Sequence, residues 1–144
     1  PMIGCGVGRH HYTPAGIKQN KTFSVNVPGC SMMAEADYCG IVSGESADKA
    51  GLFSVFYGEL KTAPMIKECP VCVECRLVQS VNYPTNEFFI GEIVGSYTEE
   101  RYLTGGKPDM KKIDPLLLSM PDNRYWTLGE HAGDAWSIGK SLKK

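Results

Sequence analysis

Five segments of the sequence have the pattern of β-strands, and they limit the possible folds more than any other feature of the chain. The five are rich in β-branched and aromatic residues and are bounded by Gly, Pro, Asn and Asp. They cover residues 2–8, 22–27, 53–60, 71–83 and 87–98. Strands therefore supply most of the predicted core.

Two shorter segments carry helix signals. The first is predicted over residues 14–20, with Thr13 as its cap and Pro14 at its first position, and the second over residues 32–38, capped by Ser31. Because each helix lies between strands, we predict a mainly β protein with peripheral helices. Its sheet should close, or nearly close, into a barrel rather than form a doubly wound parallel sheet.

Length and composition exclude several classes of protein. A chain of 144 residues fits one domain, residues 1–144, and 42% hydrophobic with 22% charged residues argues against disorder. The net charge of -1, without a run of Lys or Arg, leaves no broad basic surface for nucleic acid or an acidic membrane. The apolar runs are far shorter than the roughly 18 residues of a membrane helix. We expect neither nucleic acid nor membrane as a partner.

The cysteines and the start of the chain bear on its location. Six cysteines without a secretory signal are more typical of reduced thiols or metal ligands than of a disulfide framework, so we expect a cytoplasmic protein. The first residue is Pro1 rather than Met, and residues 2–8 have the pattern of a strand from the middle of a sheet. We therefore expect further residues upstream.

The first strand carries a regular spacing of glycines. Gly4, Gly6 and Gly8 share one face if the segment is a strand, because side chains alternate between the faces of a sheet. A bare face admits either a neighbouring strand or a flat ligand, and the glycines do not decide between the two. The dinucleotide fingerprint GxGxxG is not met, because Arg9 stands where its third glycine belongs.

The polar segment 9–13, which follows this strand, predicts a site for an anion. It leads into a helix, and the free N–H groups and positive dipole at a helix start favour a phosphate. Arg9 would add a bidentate donor, and the hydroxyls of Tyr12 and Thr13 would complete the site. The alternative is that Thr13 only caps the helix and that Arg9 is solvated. We favour the phosphate interpretation.

A polar loop over residues 39–51 contains a second candidate cation. Loops carry functional residues more often than cores do, and Lys49 could contact the same phosphate, although a lone lysine in a loop is commonly solvated. Ser46 is not in a nucleophile elbow, because GxSxG requires glycine where this chain has Asp48. The sequence gives no support for serine-hydrolase chemistry.

Three cysteines offer a competing interpretation. Cys69, Cys72 and Cys75 follow the C-x₂-C-x₂-C spacing that opens a bacterial ferredoxin cluster run, but the fourth ligand position is Gln79. A strand over this segment should point Cys72 away from both other cysteines. Buried small thiols are therefore favoured, and a metal or cluster site remains the alternative.

Nine short blocks, taken together, point to a known family. They are RHHYTP (9–14), FSVNVP (23–28), ADYCGIVSG (36–44), DKAGLF (48–53), APMI (63–66), ECP (68–70), EC (74–75), FIGEI (89–93) and YWTLGE (125–130). In identity and order these blocks resemble those of flavoredoxin-like flavin reductases, over nearly the whole chain. The resemblance implies an FMN-binding split β-barrel that forms a homodimer with a flavin near each interface.

The resemblance also implies a function and a set of FMN-binding residues. It implies a redox protein that passes electrons through bound FMN, with NAD(P)H or a redox protein as electron donor and no catalytic acid or base. The alternatives are a flavin-binding electron carrier without catalysis and a cysteine-ligated metal protein. The implied cofactor-binding residues are Arg9, His10, His11, Tyr12, Thr13, Ser43, Lys49 and Asn86. Arg9, Tyr12 and Thr13 would surround the phosphate, and Lys49 would contact the phosphate or the ring.

Three features depart from the family pattern. Asn86 stands where relatives often have a histidine near the flavin, and Cys72 stands where they commonly have Asn. Tyr125 and Trp126 are not a departure, and they either stack near the flavin ring or pack in the core. We also expect the chain as given to lack the family's strands before Pro1, which supply part of the ring pocket.

Overall fold

A four-stranded antiparallel sheet forms the centre of the protein, as seen in a computed structural model that describes residues 1–143. The spatial order of its strands is β1-β6-β5-β2. The strands are β1 Met2–Gly8, β2 Thr22–Val27, β5 Val71–Asn82 and β6 Asn86–Thr98. The long strands β5 and β6 form a hairpin with its turn at residues 83–85, and they hold the sheet together.

Shorter elements surround this sheet. The α-helices are α1 Thr13–Asn20, α2 Met33–Ile41 and α3 Met110–Ile113. The short strands are β3 Val55–Phe56, β4 Met65–Ile66, β7 Leu103–Thr104, β8 Lys107–Pro108, β9 Leu117–Ser119 and β10 Arg124–Trp126. Single turns of 3₁₀ helix lie at Cys30–Met32, Ala50–Leu52 and Glu100–Tyr102, and a longer one at Ile138–Leu142. Within residues 1–143, no helix has the length and apolar character needed to cross a membrane.

Four of the five predicted strands are confirmed, and the one over residues 53–60 is confirmed only in part, because it is much too long. Only Val55–Phe56 pairs with another strand, β4. The backbone N–H groups of Glu59 and Leu60 instead donate to the carboxylate of Glu74, at 2.9 and 2.8 Å. This buried side chain takes the place of a partner strand and ends β3 early.

Both predicted helices are present, but their predicted caps are wrong. Thr13 lies inside α1, whose N-cap is Tyr12 and has no side-chain hydrogen bond. Ser31 lies in the 3₁₀ turn that leads into α2, whose N-cap is Met32. The end of α1 has a clear cause: Lys21 adopts a left-handed conformation with φ of 58°, and its N–H returns to the carbonyl of Ile17.

The two faces of the sheet are covered by different elements. On one face, Phe23, Cys75 and Phe89 are buried beneath Ile17 of α1. On the other face, Cys72 packs with Met65 of β4 and with Met32 and Cys69. The alternation of side chains along β5 explains this division, because neighbouring residues point to opposite faces. Each face therefore has its own hydrophobic cluster.

Close packing on the α1 face predicts a large effect at one glycine. A Cβ on Gly91 would lie 2.6 Å from the ring of Phe23 and 2.9 Å from the Cβ of Cys75. We expect Gly91→Ala to lower the free energy of unfolding by about 1–3 kcal/mol, measured by urea denaturation. Gly16, in α1, has no atom within 4 Å of the same position, so Gly16→Ala should raise it by about 0.5–1 kcal/mol. A stability loss in both variants would contradict the packing argument.

Candidate functional site

A cleft of about 1120 Å³ opens between the start of α1 and the loop that follows α2. Its walls come from β1, from the residues that lead into α1, from the end of α2 with the following loop, and from Pro64. Five of the predicted cofactor-binding residues lie together along these walls: His11, Tyr12, Thr13, Ser43 and Lys49. Residues distant in sequence are thus gathered at one place.

The start of α1 contributes polar groups to the cleft. Among the described residues, no hydrogen-bond partner accepts from the backbone N–H of Thr13, and Pro14 has none to offer. These features leave the positive end of the helix dipole without a protein cap. The arrangement is suited to an anion, although Thr13 does not cap the helix as the sequence predicted.

The loop after α2 folds back onto itself around Ser43. The carbonyl of Ser43 accepts from the N–H groups of Ser46 and Ala47, at 3.2 and 3.1 Å. Its hydroxyl accepts from the N–H of Glu45 at 3.2 Å. Tyr12 packs against this loop, since a Cβ on Gly44 would lie 3.3 Å from the Tyr12 ring. The start of α1 and the loop therefore form a continuous wall.

Lys49 is the only lysine or arginine among the residues that line the cleft. It is half-buried, and its Nζ donates to the carbonyl of Cys39 at 2.7 Å, near the end of α2. This contact holds the ammonium in place and leaves further N–H donors for a ligand. Glu45 and Asp48 also line the cleft, and the Asp48 carboxylate accepts from the N–H of Gly51 at 3.3 Å.

The remaining three predicted residues do not line the cleft. His10 and Arg9 are exposed, and the backbone N–H of Arg9 donates to the carbonyl of Thr85 at 3.0 Å. Asn86 pairs with Gly8 in the sheet, and its Oδ1 accepts from the hydroxyl of Thr85 at 2.8 Å. Arg9 and Asn86 thus lie beside the β5–β6 turn. The role of all three residues in cofactor binding stays a prediction.

Two buried carboxylates near these elements were not predicted. Glu87 is 2% exposed, and its Oε2 lies 2.9 Å from the Nζ of Lys18 on α1. The hydrogen bond with Lys18 outweighs the effect of burial and holds the pKa of Glu87 below its usual range. This ion pair ties α1 to the sheet below the cleft.

Glu74 is the second buried carboxylate and is fully enclosed. Burial by itself raises its pKa, but the hydrogen bonds from Tyr97, Leu60 and Glu59 outweigh that effect, so the pKa is lowered. A charged residue at an inward position of an apolar strand was the sequence signal that could have identified it. Its contacts hold residues 58–60, and the chain then continues to Pro64 in the cleft wall.

The three cysteines of the C-x₂-C-x₂-C segment are divided between the two hydrophobic clusters. Cys75 lies on the α1 face, whereas Cys69 and Cys72 lie together on the other face. The prediction that Cys72 points away from Cys75 is therefore confirmed, and the prediction that it points away from Cys69 is wrong. Burial raises the pKa of Cys69 to about 12 and that of Cys75 to about 11. Residues 1–143 contain no group of three or more His, Cys, Asp or Glu side chains placed to hold a metal ion.

Comparison with known proteins identifies the family. Residues 1–119 match the model of the Flavin reductase like domain. The chain belongs to this flavin reductase-like family. A solved flavoredoxin from Methanosarcina acetivorans is 62% identical and superposes with a TM-score of 0.97, covering 99% of this chain and 77% of its own.

More distant relatives bear on the fold and on the length of the chain. A split barrel domain protein from Shewanella frigidimarina superposes with a TM-score of 0.81 at 22% identity, over 95% of this chain and 71% of its own. The predicted split β-barrel with peripheral helices is therefore confirmed. An uncharacterized protein from Archaeoglobus fulgidus is 32% identical over 76% of this chain and 62% of its own length. This flavin reductase-like chain thus spans less than two thirds of that curated relative.

Proposed function

We propose that this protein binds FMN in the cleft and passes electrons through it. The observation that carries the proposal is that the uncapped start of α1 and the ammonium of Lys49 line one cleft in a flavin reductase-like chain. A phosphate group is the ligand that a helix start and a fixed cation suit best. Flavoredoxins and flavin reductases among its structural relatives support a flavin rather than another phosphate ester.

The residues of the cleft fit such a ligand. A volume of about 1120 Å³ is above the roughly 300–1000 Å³ of common small-molecule sites, so it leaves room for a whole mononucleotide. In this proposal the N–H of Thr13 and its hydroxyl bind the phosphate together with Lys49. Tyr12 and Ser43 complete the wall, and His11 lies at its edge. Arg9 and His10, between β1 and α1, and Asn86, at the start of β6, contact the ligand from outside these walls.

The bound flavin would supply the electron-transfer chemistry, and the chain would supply position and charge. The Cys39 carbonyl orients Lys49, and the Lys18–Glu87 pair orients α1. The proposal requires no acid or base from the protein. Electron donation by NAD(P)H would make it a reductase, and donation by a redox protein alone would make it an electron carrier.

Two further features belong to the proposal. We propose a homodimer, supported by large apolar side chains at the surface such as Ile41 and Trp136, which are 73% and 94% exposed. We also propose a cytoplasmic location, supported by six cysteines that are all free thiols.

The proposal is tested by an absorption spectrum of the purified protein after incubation with equimolar FMN and removal of free flavin by desalting. We expect the visible flavin band to stay with the protein. Bleaching by NAD(P)H without oxygen would then indicate a reductase, whereas bleaching only by a reduced iron–sulfur protein would indicate a carrier. The same incubation is repeated with riboflavin. If a protein that circular dichroism shows to be folded retains neither FMN nor riboflavin, flavin binding is contradicted.

A further inference from the structure

A second cavity, of about 490 Å³, lies against the sheet face that β3 and β4 cover. It shares no lining residue with the cleft. Its volume falls within the roughly 300–1000 Å³ of sites that hold small molecules. It is therefore large enough to be a binding site of its own, separate from the proposed flavin site.

The inner walls of this cavity are apolar. Phe56 and Tyr97 form an edge-to-face pair, with ring centroids 5.8 Å apart at 81°. The buried side chains of Cys69 and Cys72 complete the wall. Two polar groups of the wall are already engaged, because the Tyr97 hydroxyl donates to Glu74 and the Cys72 thiol donates to the carbonyl of Ile66. An occupant would meet mainly ring carbons and sulfur, which favours an aromatic group.

The rim of the cavity carries one unpaired charge. The carboxylate of Glu99 lies 2.8 Å from the guanidinium of Arg101, and the hydroxyl of Thr98 donates to the carbonyl of Pro70. The ammonium of Lys67 makes no direct ion pair and no hydrogen bond within residues 1–143, and its charge acts only through space on the neighbouring Glu68 carboxylate. Glu99 is paired with Arg101, and the Glu68 carboxylate accepts from the backbone N–H of Ser54. The Lys67 ammonium therefore keeps its N–H donors for a ligand, and the rim is complementary to a single negative charge.

We propose that this cavity binds a small aromatic monocarboxylate. The ring packs against Phe56 and Tyr97, and the carboxylate pairs with Lys67 at the rim. The proposal is independent of flavin binding, since the two cavities have separate walls.

The contribution of the Lys67 charge to binding is tested by calorimetric titration of the full chain, with FMN in excess. The probes are 2-naphthoate and the neutral 2-naphthamide. Lys67 is exposed, so Lys67→Gln should weaken naphthoate about fivefold at low salt and leave naphthamide unchanged. The difference should disappear at high salt, because the charge is then screened. Lys107→Gln, at an exposed lysine of β8 outside the cavity, is the matched control and should change neither affinity.

The location is tested with a variant that closes the rim. Thr98→Trp places a large side chain at the mouth of the cavity and should abolish the binding of both probes while FMN binding persists. If neither Lys67→Gln nor Thr98→Trp changes the affinity for naphthoate, the proposal is overturned. Competition between naphthoate and FMN would also overturn the proposal. A fall in the mass measured by sedimentation when naphthoate is added would overturn it too, because it would assign the cavity to a second copy of the chain.

Discussion

Replacing Glu74 by Ala is expected to lower the free energy of unfolding by about 3–5 kcal/mol, measured by urea denaturation. The variant leaves the backbone N–H groups of Glu59 and Leu60 and the hydroxyl of Tyr97 without their acceptor. Each unsatisfied buried group costs about 1–3 kcal/mol, and water that enters the space offsets part of the total. Glu92→Ala is the matched control, because that carboxylate pairs with Arg76 at the surface.

The pH dependence of stability provides an independent check on Glu74. Its pKa in the folded protein lies below the ordinary value of 4.5, so the unfolded chain takes up the proton first as the pH falls. The stabilisation is therefore fully present above pH 4.5 and is lost as the pH falls through the folded-state pKa. Glu74→Gln should lack this acid-dependent part. An equal loss of stability on acidification in both proteins would contradict the assignment.

Reversing the charge of Lys49 is expected to have the largest effect on ligand binding. Lys49→Glu should weaken FMN by about a hundredfold, because a half-buried attraction to the phosphate becomes a repulsion. Riboflavin, which lacks the phosphate, should lose much less. The affinities are measured by quenching of flavin fluorescence at fixed ionic strength.

The matched control for Lys49 is Lys112→Glu, since Lys112 also donates to a backbone carbonyl, that of Leu103, but lies outside the cleft. It should leave FMN affinity unchanged. Arg9→Ala should weaken FMN less than Lys49→Glu does, because Arg9 is exposed and does not line the cleft. Equal losses of FMN and riboflavin affinity in Lys49→Glu or in Arg9→Ala would contradict a phosphate contact by that residue.

The strands of the sheet could be predicted from the sequence because their signals are local. Composition and alternation within β1, β2, β5 and β6 are enough to identify them. The segment over residues 53–60 has the same composition, yet its hydrogen bonds go to a side chain that follows it in sequence. No local pattern contains that information, and so the predicted strand there was too long: only Val55–Phe56 forms a strand.

The candidate site was predictable to the extent that it consists of two contiguous sequence motifs. The run from His11 to Thr13 and the loop with Ser43 and Lys49 lie at the cleft as the sequence suggested. Val7 and Pro64, which complete the walls, were not predicted, because only the folded sheet brings them there. Asn86, which the family pattern puts beside the flavin, lies outside these walls, where its side chain accepts from Thr85, and its role stays a prediction.

The division of β5 between two faces has a consequence for how the protein melts. Glu74 and Cys75 are consecutive and both fully buried, one beneath residues 58–60 and the other beneath α1. A single peptide bond thus joins the two sides, so neither hydrophobic cluster can open without displacing the strand that supports the other. Calorimetry should show one heat-absorption peak, and heat should release the helix layer and the β3–β4 layer together.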